Sequence, residues 1–405
     1  MNKKVITGNW NYPTHILFGP GRIRELPDAC KKLNIKRPLL ITDIGLKDHP
    51  ITRAALEMNK AAGLETAIFA NIEPNPTGTN VEDGVKAYLS GGHDGVIAFG
   101  GGSGLDAAKA VALMVGQERP LWDFVDEGDN YLRVNEAGMA PVVAVPTTAG
   151  TGSEAGRASI ILNEVTHEKK IIFHPRMLPA LVISDPELTV GLPPHITAAT
   201  GIDAFVHCFE AYCAPGWHPL ADGIAVEGMK LVAEYLPRAY KDGTDIEARA
   251  AMLAAASMGA TAFQKGLGAV HALAHPLGAL YHKHHGLLIS IILPYVVVHN
   301  RVAIAEKMDY LSRVLDLSAR KDRSGYDAML RWIMDFRAQL GIPNTLADIG
   351  VPSDRIQDVG RMALADSSSG GNPIPFTAAE YSEIFSCILK GDLSEKRVAD
   401  EPPST

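Results

Sequence analysis

Asp203 and His207 stand four residues apart in the apolar stretch GIDAFVHCFEAY, residues 201–212. On a helix this spacing places both side chains on one face, one turn apart. A carboxylate and an imidazole in this arrangement could be two ligands of one metal ion. A lone pair of this kind is more often hydrogen-bonded within a core, because buried polar groups must find partners. The stretch alone therefore leaves both interpretations open.

A second apolar stretch, GAVHALAHPLGALYHKHHG at 268–286, is rich in histidine. His271 and His275 again lie four apart, and His285 comes just after the crowded HKH. One Asp together with several His is the ligand set of a divalent transition metal such as iron or zinc, and not of calcium. Keeping so many imidazoles out of water without a metal would be costly. Together the two stretches predict a metal site.

Two glycine-rich segments each follow an apolar run and precede a helical pattern. The first contains Gly100, Gly101, Gly102, Ser103 and Gly104, and the second contains Thr147, Thr148, Gly150, Thr151, Gly152 and Ser153. Main-chain N–H groups and small hydroxyls at such positions can hold a phosphate. Leu105 occupies the last glycine position of a GxGxxG motif, so a tight turn requiring positive φ remains the alternative. Two such loops in one half of the chain favour a dinucleotide.

Asp43 ends the apolar run PLLIT. A carboxylate at this place can accept hydrogen bonds from ribose hydroxyls, and it would repel a 2′-phosphate, which favours NAD over NADP. A helix N-cap is an equally good interpretation of Asp43.

The elements that must position these residues differ between the two halves of the chain. Short runs rich in Val, Ile and Leu predict buried strands at 37–42, 65–70, 95–100, 141–147 and 180–186. Helical patterns such as 52–63 and 107–116 lie between several of them, which indicates an α/β fold with a mostly parallel sheet. After GLPPHIT at 191–197 only helical patterns follow, at 198–213, 219–236, 246–264 and 325–341. We therefore predict an α/β dinucleotide-binding domain at 1–190 and an all-helical metal-binding and catalytic domain at 191–405.

Composition narrows the class of protein. The 405 residues carry a formal net charge of −8, which gives no reason to expect a nucleic-acid partner. No uncharged apolar run is long enough for a membrane span, and the start MNKKVITGNWNYPTH lacks the apolar core of a secretory signal. The four cysteines show no disulfide-like spacing, so reduced thiols and a cytoplasmic location are expected.

Several long motifs, in order, resemble those of the iron-containing (group III) alcohol dehydrogenases. They are GGGSxxDxAK, PTTAGTGSE, GIDAxxHxxE and GxxHxxAHPLG followed by HG, and the likeness extends from FGPG at 18–21 to Asn372 and Pro373. The resemblance implies a nucleotide-binding domain, a helical domain and an active site in the cleft between them. It also implies a homodimer. Two departures are the KHHG before the last ligand and Ile374 in place of the usual Arg after Asn372-Pro373.

Carried over residue by residue, the resemblance assigns roles at the site. The metal ligands would be Asp203, His207, His271 and His285, where His284 is the alternative to His285 by a one-residue slip. His275 would be the nearby histidine that handles substrate or protons. The cofactor would contact Asp43, Asn75, Gly101, Gly102, Ser103, Asp106, Thr147, Thr148, Ser153 and Lys169, with Lys170 as the alternative to Lys169.

These assignments predict a metal-dependent, NAD(H)-linked alcohol dehydrogenase or aldehyde reductase that holds Fe(II), with Zn(II) as the alternative. Lys283 is a candidate cation near the pocket that would favour a hydroxyacid and semialdehyde pair, although a solvated loop lysine is the commoner case. A lyase of the dehydroquinate-synthase type is the second enzyme class. A binding protein that retained the fold is expected to have a broken ligand set, whereas all four ligand positions are filled here.

Overall fold

The computed structural model describes residues 14–317 and 324–394. Residues 1–13 lie outside this range. They form most of MNKKVITGNWNYPTH, so the prediction that this start is not a secretory signal falls outside the described residues.

A six-stranded, all-parallel sheet forms the centre of the N-terminal half. Its strands are β1 (Ile16–Phe18), β2 (Pro38–Asp43), β3 (Ala67–Ile72), β4 (Gly95–Gly100), β5 (Val142–Pro146) and β8 (Leu181–Ser184), in the order β1-β8-β5-β4-β2-β3. Along β2, Leu39 and Ile41 enter one hydrophobic cluster while Leu40 enters another, so both faces of the sheet are covered. This is the mostly parallel α/β arrangement that the apolar runs predicted.

The order of the strands creates a crevice at the carboxyl edge of the sheet. The chain runs from β2 outward to β3 and then returns to β4, which pairs with the other side of β2. Open α/β sheets bind ligands where the strand order reverses in this way. Here the crevice lies between the ends of β2 and β4, which are Asp43 and Gly100.

Two pieces of strand structure were not predicted. β1 has only three residues, too short for a pattern, and β6 (Ala158–Asn163) pairs antiparallel with β7 (Glu168–Phe173) in a separate hairpin. β7 reads EKKIIF and is half-buried, so it lacks the continuous apolar run of the buried strands.

Helices flank the sheet and then build the whole C-terminal half. The first four are α1 (Leu26–Lys32), α2 (Pro50–Ala61), α3 (Gly78–Gly91) and α4 (Gly102–Met114). The last nine are α5 (Pro194–Cys213), α6 (Pro219–Lys241), α7 (Ile246–Ala262), α8 (Ala269–Tyr281), α9 (His285–His299), α10 (Arg301–Val314), α11 (Gly325–Gln339), α12 (Ile356–Ala365) and α13 (Ala378–Lys390). The change from strands to helices falls between Ser184 and Pro194, close to the boundary predicted at residue 190.

Helix α5 lies at the centre of the helical core because small residues let its neighbours approach. A Cβ on Gly201 would lie 2.3 Å from Leu236 Cδ1 of α6, and one on Gly228 of α6 would lie 2.5 Å from Cys208 Sγ. A Cβ on Gly259 of α7 would lie 2.9 Å from His207 Cβ. These contacts fix the position of the helix that carries Asp203 and His207.

The four cysteines are free, as their spacing predicted, and all four are buried. Within the described ranges, no single helix combines the length and apolarity of a membrane span. The pair α9 and α10 meets both criteria only together and is bent by 111°.

We predict that Gly201→Ala lowers the thermal stability of the protein. The added methyl group has no room against the buried Leu236, and overpacking of this kind costs about 1–3 kcal/mol. Gly223→Ala is the matched control, because this exposed glycine of α6 has nothing within 4 Å of its Cβ position. Replacing Gly223 should raise Tm, because alanine inside a helix is more favourable than glycine by roughly 0.5–1 kcal/mol. Calorimetry that finds equal Tm for both variants would contradict this account of the packing around α5.

Candidate functional site

Three helices bring the predicted metal ligands together. Asp203 and His207 lie one turn apart on α5, His271 lies on α8, and His285 is the first residue of α9. Asp203 Oδ1 is 4.0 Å from His207 Nδ1, 3.8 Å from His271 Nε2 and 3.7 Å from His285 Nε2. His271 Nε2 and His207 Nε2 are 3.0 Å apart.

The choice between His284 and His285 follows from the start of α9. His284 is the N-cap of α9, and its Nδ1 accepts a hydrogen bond from the backbone N–H of Leu287. His285 faces Asp203 instead. A Cβ on Gly286 would lie 2.5 Å from the carbonyl oxygen of Ala199, so this glycine lets the first turn of α9 lie against α5. His285 is therefore the histidine that joins the cluster.

The residues of this cluster fit a divalent transition metal ion. Distances of 3.7–4.0 Å from Asp203 Oδ1 to the three imidazoles are too long for hydrogen bonds. Among the described residues, this buried oxygen has no hydrogen-bond partner at all. A buried carboxylate oxygen without a partner is unfavourable unless a cation binds it. Three imidazoles and one carboxylate are the donor set expected for iron or zinc.

Burial controls the charges of these groups. It raises the pKa of Asp203 to about 7, and it lowers the pKa values of His207 and His285 well below the usual range. The imidazoles of His207 and His285 are thus held in the neutral form that binds a metal, whereas the charges of His271 and Lys169 do not offset the burial of the carboxylate. A bound cation would add the positive charge that offsets it.

Glu210 contacts His271 on the side of the imidazole that faces away from Asp203. Its Oε2 lies 2.6 Å from His271 Nδ1, and its Oε1 accepts a hydrogen bond of 2.8 Å from the backbone N–H of Val270. Burial lowers the pKa of His271, but the hydrogen bond to Glu210 and the negative charges of Glu210, Asp203 and Asp366 together outweigh burial and leave this pKa raised. Because Nδ1 faces the carboxylate, Nε2 is the nitrogen directed toward the cluster. Glu210 is the last residue of the motif GIDAxxHxxE, but the motif alone does not reveal this contact.

His275 lies beside the cluster and has a different partner. Its Nδ1 is 2.8 Å from Asp366 Oδ2, and its buried Nε2 has no hydrogen-bond partner among the described residues. The ring stacks on that of His285, with centroids 5.5 Å apart. Burial raises the pKa of Asp366, but His275 and the bonds from Ser368 more than offset it, so the pKa of Asp366 is lowered. An ionised Asp366 can thus orient the imidazole of His275.

The two predicted glycine loops meet at the start of α4. A Cβ on Gly101 would lie 3.2 Å from Thr148, and one on Gly102 would lie 2.6 Å from Thr151 Cγ2. Gly101 is the N-cap of α4 and offers no side chain to cap it. The first N–H groups of this helix can therefore donate to a phosphate between the loops.

Asp43 and Asn75 lie at the edges of this crevice. Asp43 Oδ1 accepts hydrogen bonds from the backbone N–H groups of Gly45 and Leu46, which stabilises the turn after β2, while His49 caps α2. The other oxygen, Oδ2, lies 3.4 Å from the Cβ position of Gly100. Asn75 is half-buried in the loop after β3, beside Pro74.

Several predicted cofactor residues also hold the loops in place. Ser103 Oγ donates to the carbonyl oxygen of Pro74, and the backbone N–H of Thr147 donates to that of Gly100. Asp106 accepts hydrogen bonds from Ser153 Oγ and from the backbone N–H of Ile160. The carboxylate of Asp106 is thus used to join α4 to the second loop and to β6.

Lys169 and Lys170 point to different places. Lys170 forms a 2.9 Å ion pair with Glu168. Lys169 Nζ lies 3.3 Å from the point where a Cβ on Gly278 would be. Gly278 belongs to α8, the helix that carries His271 of the metal cluster. Burial lowers the pKa of Lys169 to about 8, against the opposing charges of Asp106, Asp366 and Asp203. Lys169 is therefore the lysine that reaches the site.

A cavity of about 300 Å³ lies beside the metal cluster, between the β6–β7 hairpin and α7. Its wall includes Phe263, whose ring centroid is 5.3 Å from that of His207, and Ser367, the neighbour of Asp366. Arg157 also lines the cavity, and it could not be predicted from sequence because it lies in none of the motifs. Lys283 does not line this cavity. The left-handed conformation of His282 turns the chain at the end of α8, and Lys283 Nζ lies 4.0 Å from the Cβ position of Gly350.

Family models match both halves of the chain. The model described as "Iron-containing alcohol dehydrogenase" matches residues 13–186, and "Fe-containing alcohol dehydrogenase family, C-terminal" matches residues 197–389. The chain belongs to the iron-containing alcohol dehydrogenase family. The family resemblance drawn from the sequence motifs is thus confirmed.

Individual members of the iron-containing alcohol dehydrogenase family are similar over nearly the whole chain. A 4-hydroxybutyrate dehydrogenase of Cupriavidus necator is 37% identical over 92% of this chain and 98% of its own length. An NAD-dependent methanol dehydrogenase of Bacillus methanolicus is 33% identical over 94% of this chain and its entire length. The crystal structure of a 1,3-propanediol oxidoreductase has a TM-score of 0.89 at 33% identity and covers 95% of this chain and 100% of that one.

We predict that Glu210→Gln weakens binding of a divalent metal ion by this protein by about 10- to 100-fold. The neutral amide keeps the shape of Glu210 but removes the charge that orients His271. Chelator competition on the metal-free protein with Zn(II) and Fe(II) measures the affinity directly. Glu227→Gln on the exposed side of α6 is the matched control and should leave the affinity unchanged. Equal affinities for wild type and Glu210→Gln would refute the role given to Glu210.

Proposed function

We propose that the protein is a divalent-metal-dependent, NAD(H)-linked alcohol dehydrogenase or aldehyde reductase that acts on a small primary alcohol or aldehyde. The observation that carries this proposal is the buried Asp203 Oδ1, which has three imidazoles around it and no hydrogen-bond partner among the described residues. Membership of the iron-containing alcohol dehydrogenase family supports the same chemistry.

The cluster and the glycine loops are next to each other. A Cβ on Gly150 of the second loop would lie 2.8 Å from Thr200 Cβ, three residues before Asp203 on α5. Glu154, which follows the same loop, accepts a 2.6 Å hydrogen bond from Ser257 of α7. A dinucleotide held between the loops would therefore lie next to the metal cluster, and hydride transfer requires such proximity.

Each predicted residue has a definite task in this proposal. Asp203, His207, His271 and His285 would hold the ion. The N–H groups at the start of α4 and the hydroxyls of the second loop would hold the diphosphate. Asp43 Oδ2 would accept from a ribose hydroxyl. When bound, the ion acts as a Lewis acid on the substrate oxygen, and the nicotinamide exchanges a hydride with the adjacent carbon.

His275 is proposed to move the proton. Its Nδ1 is held by Asp366, so its Nε2 is free to give a proton to the forming alcohol or to take one from it. Asp366 would stabilise the imidazolium that forms when His275 takes a proton. The pair Asp366 and His275 thus works as an orienting carboxylate and a general acid–base.

The proposal also specifies the metal, the cofactor, the substrate class, the location and the oligomeric state. Fe(II) is proposed by family likeness, and the Irving–Williams order makes Zn(II) the stronger competitor for such a site. NAD is proposed over NADP because of Asp43, and the relative named NAD-dependent methanol dehydrogenase supports it. The relative named 4-hydroxybutyrate dehydrogenase supports a hydroxyacid and semialdehyde pair as substrates. A cytoplasmic homodimer remains the proposed state.

We predict that metal-free protein oxidises no NADH with a panel of short aldehydes and that Fe(II) or Zn(II) restores the reaction. The change in NADH absorbance with time measures it, and each mole of aldehyde should consume one mole of NADH. A reaction with no net consumption of NADH would instead favour the lyase of the dehydroquinate-synthase type. No turnover of any aldehyde or alcohol in the metal-loaded protein would contradict the proposed function.

We predict that His275→Ala lowers kcat by about a hundredfold or more, which is the range of a lost general acid–base. Metal content should stay at the wild-type level, because His275 is not among the four ligands. Activity is measured with NADH and metal content by elemental analysis on the same samples. His93→Asn, between α3 and β4, is the control. Loss of the metal from His275→Ala would show that His275 is a ligand.

A further inference from the structure

The cavity beside the metal cluster is the place where the part of a substrate away from the reacting carbon would lie. It is lined mainly by uncharged residues, among them Ala155, Leu178, Ala260, Phe263 and Leu267. Two charged side chains, Arg157 and Asp126, also form its wall. A site of this kind fixes a small molecule by apolar contact and a few polar groups.

Arg157 has donors available for a ligand. Its guanidinium lies over the ring of Phe173, 5.6 Å from the centroid. Throughout residues 14–317 and 324–394, no side-chain hydrogen bond or ion pair within 4.0 Å engages this guanidinium. Arginine has five N–H donors in a planar fork that matches a carboxylate. The stacked guanidinium is therefore held in place by the ring while its donors remain unused.

Of the two cations Lys169 and Arg157, Arg157 is better suited to bind an anionic substrate. Lys169 lies near three carboxylates, those of Asp106, Asp366 and Asp203. The negative charge nearest in effect to Arg157 is that of Asp126. Burial raises the pKa of Asp126, although the positive charge of Arg157 acts to lower it. Burial thus disfavours the ionised form of Asp126.

We propose that Arg157 binds the carboxylate of the substrate and thereby selects a short ω-hydroxy acid and its semialdehyde over neutral alcohols and aldehydes. The inference rests on the proposed function, because it assigns the far end of the same substrate. The reaction is unchanged: the aldehyde carbon takes the hydride of NADH, the oxygen takes a proton, and the carboxylate takes no part in bond making. Arg157 acts by holding that carboxylate.

The test compares two aldehydes that differ in charge and little in shape. Succinic semialdehyde carries the carboxylate, and its methyl ester is neutral. We expect Arg157→Met to lower kcat/KM for succinic semialdehyde by about 10- to 100-fold, which is the range for a lost charge-assisted hydrogen bond. The value for the methyl ester should stay within about twofold, because the ester makes no ionic contact. Arg24→Met, at an exposed position remote from the cavity, is the matched control.

Two further variants separate a charge effect from a packing effect. Asp126→Asn removes the opposing charge and should raise kcat/KM for the semialdehyde while leaving the ester unchanged. Arg157→Lys keeps the charge and should restore part of the preference for the semialdehyde. Calorimetry should show similar Tm for all variants. A fall in the ratio of kcat/KM for the semialdehyde to kcat/KM for the ester, at unchanged Tm, cannot come from misfolding.

A binding measurement gives a readout that does not depend on turnover. Titration calorimetry of wild-type protein with 4-hydroxybutyrate should give heat of binding that Arg157→Met loses. If Arg157→Met lowers kcat/KM for both aldehydes equally, or for neither, the inference is overturned. If wild type reduces the methyl ester with NADH but shows no preference for the anion, Arg157 does not select the substrate and the proposed function still stands. If wild type reduces neither these aldehydes nor any other, the proposed function fails first.

Discussion

The cost of burying a carboxylate among imidazoles is the constraint on which the rest of the site depends. Asp203 lies in the helical core, its Oδ1 has no hydrogen-bond partner among the described residues, and burial raises its pKa to about 7. An unpartnered ion in such surroundings would destabilise the fold. A divalent cation shared by Asp203, His207, His271 and His285, as proposed above, would remove that cost. Metal binding and the stability of the helical half are therefore expected to be linked.

Close packing gives the cluster its fixed shape. Gly201 and Gly259 allow α6 and α7 to approach α5, and Gly286 allows the start of α9 to lie against Ala199. Glu210 then sets the ring of His271, and Asp366 sets that of His275. On the other side, the second glycine loop packs against Thr200 and α7, so the nucleotide crevice and the metal cluster share one wall. Position is what the protein contributes to hydride transfer, and these contacts provide it.

Much of this could be predicted from sequence because the signals were local or periodic. The apolar runs located five strands of the sheet, and the spacing of Asp203 and His207 placed both on one helix face. The hairpin of β6 and β7 was missed because both strands are only half-buried, and because β7 mixes lysine with apolar residues. Arg157 and Glu210 could not be assigned roles, since these depend on contacts across distant elements. Lys283 was a candidate cation near the pocket, with a solvated loop lysine as the commoner case, and the left-handed turn at His282 leads it toward Gly350.

The most direct test of the central claim is a crystal structure of the metal-loaded protein with anomalous diffraction data collected at the absorption edge of the bound metal. The account predicts one anomalous peak bonded to Asp203, His207, His271 and His285, with His275 hydrogen-bonded to Asp366 and outside the coordination shell. A peak bonded to His284 or His275 in place of one of these ligands would contradict it, as would a metal bound elsewhere in the chain.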